Sequence, residues 1–152
     1  MQHEDVITDK LRLNQILINI VGNAIKFTPV GGDIIIHLVE RPCSTSGYAA
    51  YEFSIKDTGI GMSSDFLGHV FDTFAREQSA TVSGIQGTGL GMAITKNIVE
   101  MMGGTVEVES EEGKSSKFTV TLTLRLADKP IRYEPIAELQ GARKLVVDDD
   151  IE

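Results

Sequence analysis

Between Lys10 and Thr28, apolar residues return every three or four positions. At about 100° per residue, Leu13, Ile16, Leu17, Ile20, Ala24 and Phe27 fall on one side. This spacing predicts a helix, with Asp9 as its N-cap and Thr28-Pro29-Val30-Gly31-Gly32 as its stop. A polar stripe of Arg12, Gln15, Asn19, Asn23 and Lys26 runs along another side. The period then changes to two. Asp33 to Glu40 reads as a strand and Pro42 to Gly47 as a loop. Tyr51, Phe53 and Ile55 then alternate with Glu52, Ser54 and Lys56 as a half-buried strand. Asp57 shares the parity of Phe53 and Ile55, so its carboxylate is expected on the buried side.

Further on, Ser63 to Phe71 reads as a short helix. Asp72 to Gln86 has no period and is rich in Ser, Thr and Gly, which predicts a mobile, functional loop. From Leu90 to Met102, Ile94, Ile98, Val99 and Met102 share a helical face, and Gly103-Gly104 ends that helix. Thr105 to Ser110 and Phe118 to Leu126 alternate around a turn at Glu111-Glu112-Gly113-Lys114, the pattern of an antiparallel hairpin. Residues 1–126 therefore read as one domain and 127–143 as a linker. Residues 144–152 open another domain with a buried strand that ends in Asp148-Asp149-Asp150.

Composition narrows the chemistry. The 152 residues suffice for one core, and 41% hydrophobic with 24% charged residues is ordinary for a globular chain. A net charge of −8 argues against nucleic-acid binding, so an anionic ligand must be held by local groups. No apolar run reaches the roughly 20 residues of a membrane span, and Met1-Gln2-His3-Glu4-Asp5 is unlike a signal peptide. The lone Cys43 fits a reducing cytoplasm, and His3, His37 and His69 have no ligand spacing.

Three segments carry candidate chemistry. Asn19 and Asn23, one turn apart, present two carboxamides to one ligand, with Lys26 a turn beyond. An amide oxygen is a neutral, hard ligand for magnesium, and the lysine suits a phosphate. Asp57-Thr58-Gly59-Ile60-Gly61 places a buried carboxylate that needs donors. The exocyclic amine of adenine supplies one, whereas guanine presents a carbonyl there, and Gly59 and Gly61 leave room for a flat base. Gly87-Thr88-Gly89-Leu90-Gly91 opens a helix, where free N–H groups and the dipole favour phosphate. A dinucleotide fingerprint does not fit: the spacing is G-x-G-x-G, no strand precedes it, and Glu107 and Glu109 point outward.

These segments together resemble the ATP-binding catalytic domain of two-component sensor histidine kinases, in the GHKL superfamily. Arg12 to Thr28 looks like its N box and Asp57 to Met62 like its first glycine box. Val70-Phe71-Asp72-Thr73-Phe74 is similar to its F box, and Gly87 to Gly91 to its second glycine box. The resemblance implies a two-layer α/β sandwich: a mixed, mostly antiparallel sheet of about five strands with helices on one face. It implies that Asn23 ligates magnesium, that Lys26 and Gln86 contact phosphates, and that Phe27 flanks the nucleotide. Asp57 would bind adenine, residues 87–91 would wrap the phosphates, and 72–86 would form a lid. Gly59, Gly61, Gly87, Thr88, Gly89, Leu90 and Gly91 thus join Asn19, Asn23, Lys26, Phe27, Asp57 and Gln86 as the expected ATP site.

The implied activity is transfer of the γ-phosphoryl of Mg-ATP to a histidine on a dimerisation and acceptor domain. Asn19 stands where ATP-hydrolysing relatives carry a glutamate base, and together with Asn23 and Lys26 it is expected to serve transfer. The acceptor segment His-Glu-x-x-x-Pro is absent, and Thr73, Met92 and Ser115 depart from the family pattern. The tail from Lys144 to Asp150 is similar to the first strand of a receiver domain, with Asp148 and Asp149 as its acids, so a hybrid kinase with a downstream receiver is expected. The domain itself is expected to be cytoplasmic without membrane contact, in a parent protein compatible with a membrane anchor. The alternative is a nucleotide-binding regulatory module, or a degenerate kinase, without transfer activity.

Overall fold

Two long strands, β3 (Tyr48–Asp57) and β5 (Ser115–Leu126), run antiparallel through the middle of a five-stranded sheet. They pair without a break from Tyr48 opposite Arg125 to Asp57 opposite Ser116. The computed structural model describes residue 3, residues 5–75 and residues 89–127. Outside β3 lies β2 (Ile34–Arg41). The other edge of β5 carries β4 (Thr105–Glu111) and, near its end, the two-residue β1 (Val6–Ile7). A mixed sheet was expected, but every described pairing is antiparallel. Short loops join β2 to β3 and β4 to β5, and such loops connect only antiparallel neighbours. The linker at 127–143 and the strand at 144–150, with Asp148 and Asp149, lie outside the described residues apart from Ala127.

Alternation decides the layers. Tyr51, Phe53, Ile55, Phe118, Val120, Leu122 and Leu124 line one face of the sheet. There they share a core with Ile16, Ile20 and Ala24 of α1 (Lys10–Phe27) and Ile98 and Val99 of α3 (Gly91–Met101). The opposite face carries Glu52, Ser54, Lys56, Thr119 and Thr121, none of them buried. The result is the two-layer sandwich with helices on one face. Asp9 caps α1 as its sequence position predicts: its side chain accepts the Arg12 N–H at 3.1 Å.

Local readings fail where tertiary contacts intervene. The helix expected over Ser63 to Phe71 is only α2 (Ser64–Leu67), started by the Ser63 side chain and ended at Gly68. Beyond Gly68 the chain continues in short turns, His69 N–H to the Phe66 carbonyl and Asp72 N–H to the His69 carbonyl. Ile94, expected on the packed face of α3, is 38% exposed. Met92, Ala93 and Thr95 are buried in the first turns instead.

Two glycine substitutions test this packing. Gly61 has φ +63°, and a Cβ there meets the Glu111 carbonyl oxygen at 2.0 Å. Gly22 sits inside α1 with nothing within 4 Å of a built Cβ. In urea unfolding without nucleotide, Gly22→Ala is expected to stabilise the domain by about 0.5–1 kcal/mol. Gly61→Ala is expected to destabilise it by more than about 1 kcal/mol, and an unchanged midpoint refutes this packing.

Candidate functional site

The loop after β3 is tied down along its length. The Thr58 N–H donates to the Asp33 carbonyl at 3.0 Å, and the Gly59 N–H to Asp57 Oδ1 at 2.9 Å. The Ile60 N–H donates to the Phe27 carbonyl at 3.2 Å, the Gly113 N–H to the Ile60 carbonyl at 2.7 Å, and the Met62 N–H to Ser110 Oγ at 2.9 Å. One loop thus joins the last turn of α1, the start of β2 and the β4–β5 turn. Glycine is required here by the chain itself. A Cβ on Gly59 meets both Asp57 Oδ1 and the Phe27 carbonyl oxygen at 2.6 Å, and Gly61 abuts Glu111. The sequence-based reason for these glycines, room for a base, is therefore secondary to packing.

Asp57 ends β3 only 4% exposed, on the helix-covered face that its parity predicts. Burial pushes its carboxyl above the usual range, and backbone N–H groups of Gly59 and Ser116 partly offset the shift. Ser116, directly across β5, is buried too, and its Oγ lies 3.1 Å from Ser110 Oγ. Ser110 donates its single hydroxyl proton to the Ser115 carbonyl at 2.9 Å, so Ser116 donates to Ser110. The sequence reading missed this pair. Ser116 shares the inward parity of Phe118 and Val120, and that parity was the signal available.

The polar stripe of α1 divides into two roles. Asn19 Nδ2 donates to the Gly91 carbonyl at 3.2 Å and to Thr95 Oγ1 at 3.1 Å, which locks α1 to the first turn of α3. Thr95 Oγ1 also donates to the Gly91 carbonyl, at 2.9 Å. The Asn23 carboxamide, one turn on and half-buried, has no hydrogen-bond partner among the described residues. Lys26 Nζ stands 5.1 Å from the Phe27 ring centroid. Along the axis, Asn19 and Phe27 are separated by roughly 12 Å. So one helix spans from the start of α3 to the Asp57 loop.

At the α3 end, no side chain caps the helix start at Leu90. Gly89 has φ +69°, where a Cβ crowds the Phe74 backbone at 2.9 Å, and the Phe74 N–H donates to the Gly89 carbonyl at 2.9 Å. This bond draws together the two ends of the segment between them. Phe74 adopts φ 65°, a left-handed conformation unusual for an aromatic residue. Gln86, Gly87 and Thr88, and the expected lid from residue 76 onward, lie outside the described residues. Met92, a departure from the family pattern, is buried in the core, so its packing role persists. No group of three His, Cys, Asp or Glu residues lies together among the described residues, so a metal here has to rely on amide and ligand oxygens.

The profile of histidine kinase-, DNA gyrase B- and HSP90-like ATPases matches residues 8–126. The chain belongs to this family. It is 40% identical over 155 residues to the autoinducer 2 sensor kinase/phosphatase LuxQ of Vibrio parahaemolyticus, a match covering 96% of this chain and 18% of that protein. The chain therefore spans less than a fifth of that relative's length. Among solved structures it resembles a mycobacterial sensor histidine kinase, MprB, with TM-score 0.65 and 30% identity over 80% of this chain and 78% of that one. It also resembles full-length ShkA in complex with AMPPNP, with TM-score 0.61 and 34% identity, covering 84% of this chain and 24% of that one. As an ATPase-family domain it is an ATP-binding domain of the sensor-kinase type.

The raised carboxyl of Asp57 has a pH consequence. The fold favours the protonated group. Its contribution to the stability of the nucleotide-free domain is therefore greatest in acid, and is lost as pH rises from the ordinary value of 3.8 through the raised one. An adenine amine bound at Asp57, as expected from the sequence, needs the ionised acceptor, so on that reading ATP affinity falls as pH drops through the raised value. Asp57→Asn removes a charge-assisted bond of roughly 1.5–3 kcal/mol and should weaken ATP about tenfold or more. Calorimetry across pH checks both, and an unchanged Asp57→Asn variant refutes the adenine role.

Proposed function

We propose that the domain binds ATP with magnesium and donates the γ-phosphoryl group to a histidine on a separate helical acceptor domain of its parent kinase. The observation that carries this reading is the reach of α1. Its last turn closes on the buried Asp57, and two turns earlier Asn19 is bonded to the start of α3. ATP laid along the helix meets Asp57 with its adenine amine and the N–H groups of residues 89–91 with its phosphates. Phe27 flanks the nucleotide, and the long Lys26 side chain brings a point charge from the same last turn of α1 towards the phosphates. AMPPNP bound to the related ShkA supports a triphosphate ligand.

Asn23 is the residue suited to magnesium, since its half-buried carboxamide lies one turn from Asn19 and has no hydrogen-bond partner among the described residues. The ion supplies charge neutralisation on the phosphates. In the transfer, the acceptor imidazole nitrogen forms a bond to the γ-phosphorus as the bond from that phosphorus to the β–γ bridging oxygen breaks. ADP keeps the electron pair, and the imidazole N–H proton passes to solvent. The chain contributes positioning and local positive charge. Asn19 cannot act as a base for water, and its amide hydrogens are committed to α3. It therefore works by holding the start of α3 in place.

The parent is proposed to be a hybrid kinase whose receiver begins near residue 144, since the LuxQ match covers 96% of the chain and so extends past residue 126. The domain is proposed to work in the cytoplasm, and no helix among the described residues is long and apolar enough to cross a membrane.

Radiolabel transfer from ATP to the separately expressed acceptor domain of the parent, with an acid-labile product, tests the reading. Asn23→Ala is expected to lower transfer about a hundredfold or more. Asn19→Asp turns a donor into a carboxylate facing the Gly91 carbonyl, and should weaken ATP binding without creating hydrolysis. Full transfer by Asn23→Ala, or robust ATPase activity by the isolated domain, refutes the mechanism.

A further inference from the structure

The side of α1 turned away from the core is apolar along one line. Leu11, Ile18 and Ile25 are 74%, 70% and 64% exposed, and each is seven residues from the next. Seven residues are close to two helical turns, so the three side chains form the kind of seam one helix offers another. Gly22 lies beside the seam, and a Cβ built on it meets nothing within 4 Å, so a partner can approach the backbone closely there. The charges of α1 are Lys10, Arg12 and Lys26, with no acid, in a chain of net charge −8. A helix with apolar residues at the same spacing and acidic flanks is complementary to this surface.

The seam runs alongside the proposed site, from its phosphate end at Asn19 to the last turn of α1. Ile18 adjoins Asn19, Gly22 adjoins Asn23 and Ile25 adjoins Lys26, each about 100° around the helix from its neighbour. We propose that Leu11, Ile18, Gly22 and Ile25 form the docking seam for a helix of the acceptor-histidine domain. The inference rests on the phosphoryl-transfer reading, because a histidine that attacks the γ-phosphorus has to come up to the rim that this seam forms. Three apolar side chains cover far less than the roughly 1,200 Å² of a stable protein interface. The contact is therefore brief, as suits an acceptor that must leave once modified.

The test measures initial rates of transfer against the concentration of the parent's acceptor domain, at saturating ATP. Ile18→Glu puts a charge at the centre of the seam without touching the core. It is expected to raise the KM for the acceptor about tenfold or more, with near-normal ATP affinity by calorimetry and little change in kcat. Ile18→Leu should behave as wild type, as should Ile36→Glu on the outer strand β2. Added salt should raise the KM of the wild-type domain. In nuclear magnetic resonance titrations with the acceptor domain, the amides of residues 11, 18, 22 and 25 should shift whether or not transfer occurs. Normal KM in Ile18→Glu, together with wild-type transfer, overturns the seam and leaves the transfer reading standing. Seam shifts without any transfer by the wild type keep the docking surface and overturn the transfer reading. Neither shifts nor transfer overturns both. A concentration-dependent dimer that Ile18→Glu converts to monomer assigns the seam to a second copy of the chain and overturns the proposal.

Discussion

A carboxylate buried at the end of a central strand is costly unless donors surround it, and the neighbourhood of Asp57 is organised around that constraint. Its own loop turns back so that the Gly59 N–H reaches Oδ1, which leaves no space for a side chain at residue 59. The same turn carries the Ile60 N–H to the last turn of α1 and the Ile60 carbonyl to Gly113. Across the strand pair, Ser116 gives Asp57 a backbone N–H, and its hydroxyl pairs with Ser110 where an apolar core would otherwise continue. Even so, burial holds the carboxyl above its ordinary range. The fold therefore disfavours the ionised carboxylate, and the adenine amine proposed above would offer it a further donor. Ligand selectivity and stability are opposed at this residue, as is common where a binding group is preorganised.

From that anchor, α1 acts as the common support. Its core face, Ile16, Ile20 and Ala24, fixes the helix on the sheet. Its flank carries Asn19, Asn23 and Lys26 at one-turn intervals, and its outer face carries the exposed apolar seam. Because all three faces belong to one rigid element, a shift that disturbs the Phe27 contact with the Asp57 loop also moves Asn19, and with it the start of α3. The spacing between the Asp57 loop and the start of α3, the proposed base and phosphate ends, is thereby set by helix geometry and not by a flexible loop.

What the sequence revealed follows from how local each signal is. The bounds of α1 were legible because Asp9, the apolar period and Pro29 all act within a turn of the helix end. The inward carboxylate of Asp57 was legible from parity alone, since a strand alternates whatever its partners are. The two residues of β1 are too few to show a period, and they are strand only because Leu126 and Arg125 lie beside them. Gly68 cut short the helix expected up to Phe71. Ile94 carried a helical spacing, but α3 turns Thr95 inward to meet Asn19, 76 residues away. That partnership could not be read from either segment, and it adds a clamp between α1 and α3 to the ligand role expected of Asn19.

The clamp bears on the proposed preference for transfer over hydrolysis. In a hydrolytic site, the residue at this place on the helix needs a free acceptor for a proton from water. Here the amide has no titration in the working range, and its two hydrogens point at the Gly91 carbonyl and Thr95 Oγ1. A carboxylate at this position would face the Gly91 carbonyl, and the repulsion would loosen the start of α3. Restoring a base would therefore also require replacing the α1–α3 bond, for instance by altering Thr95. On the proposed reading, the choice of an amide over a base at residue 19 and the placement of the start of α3 are two consequences of one side chain.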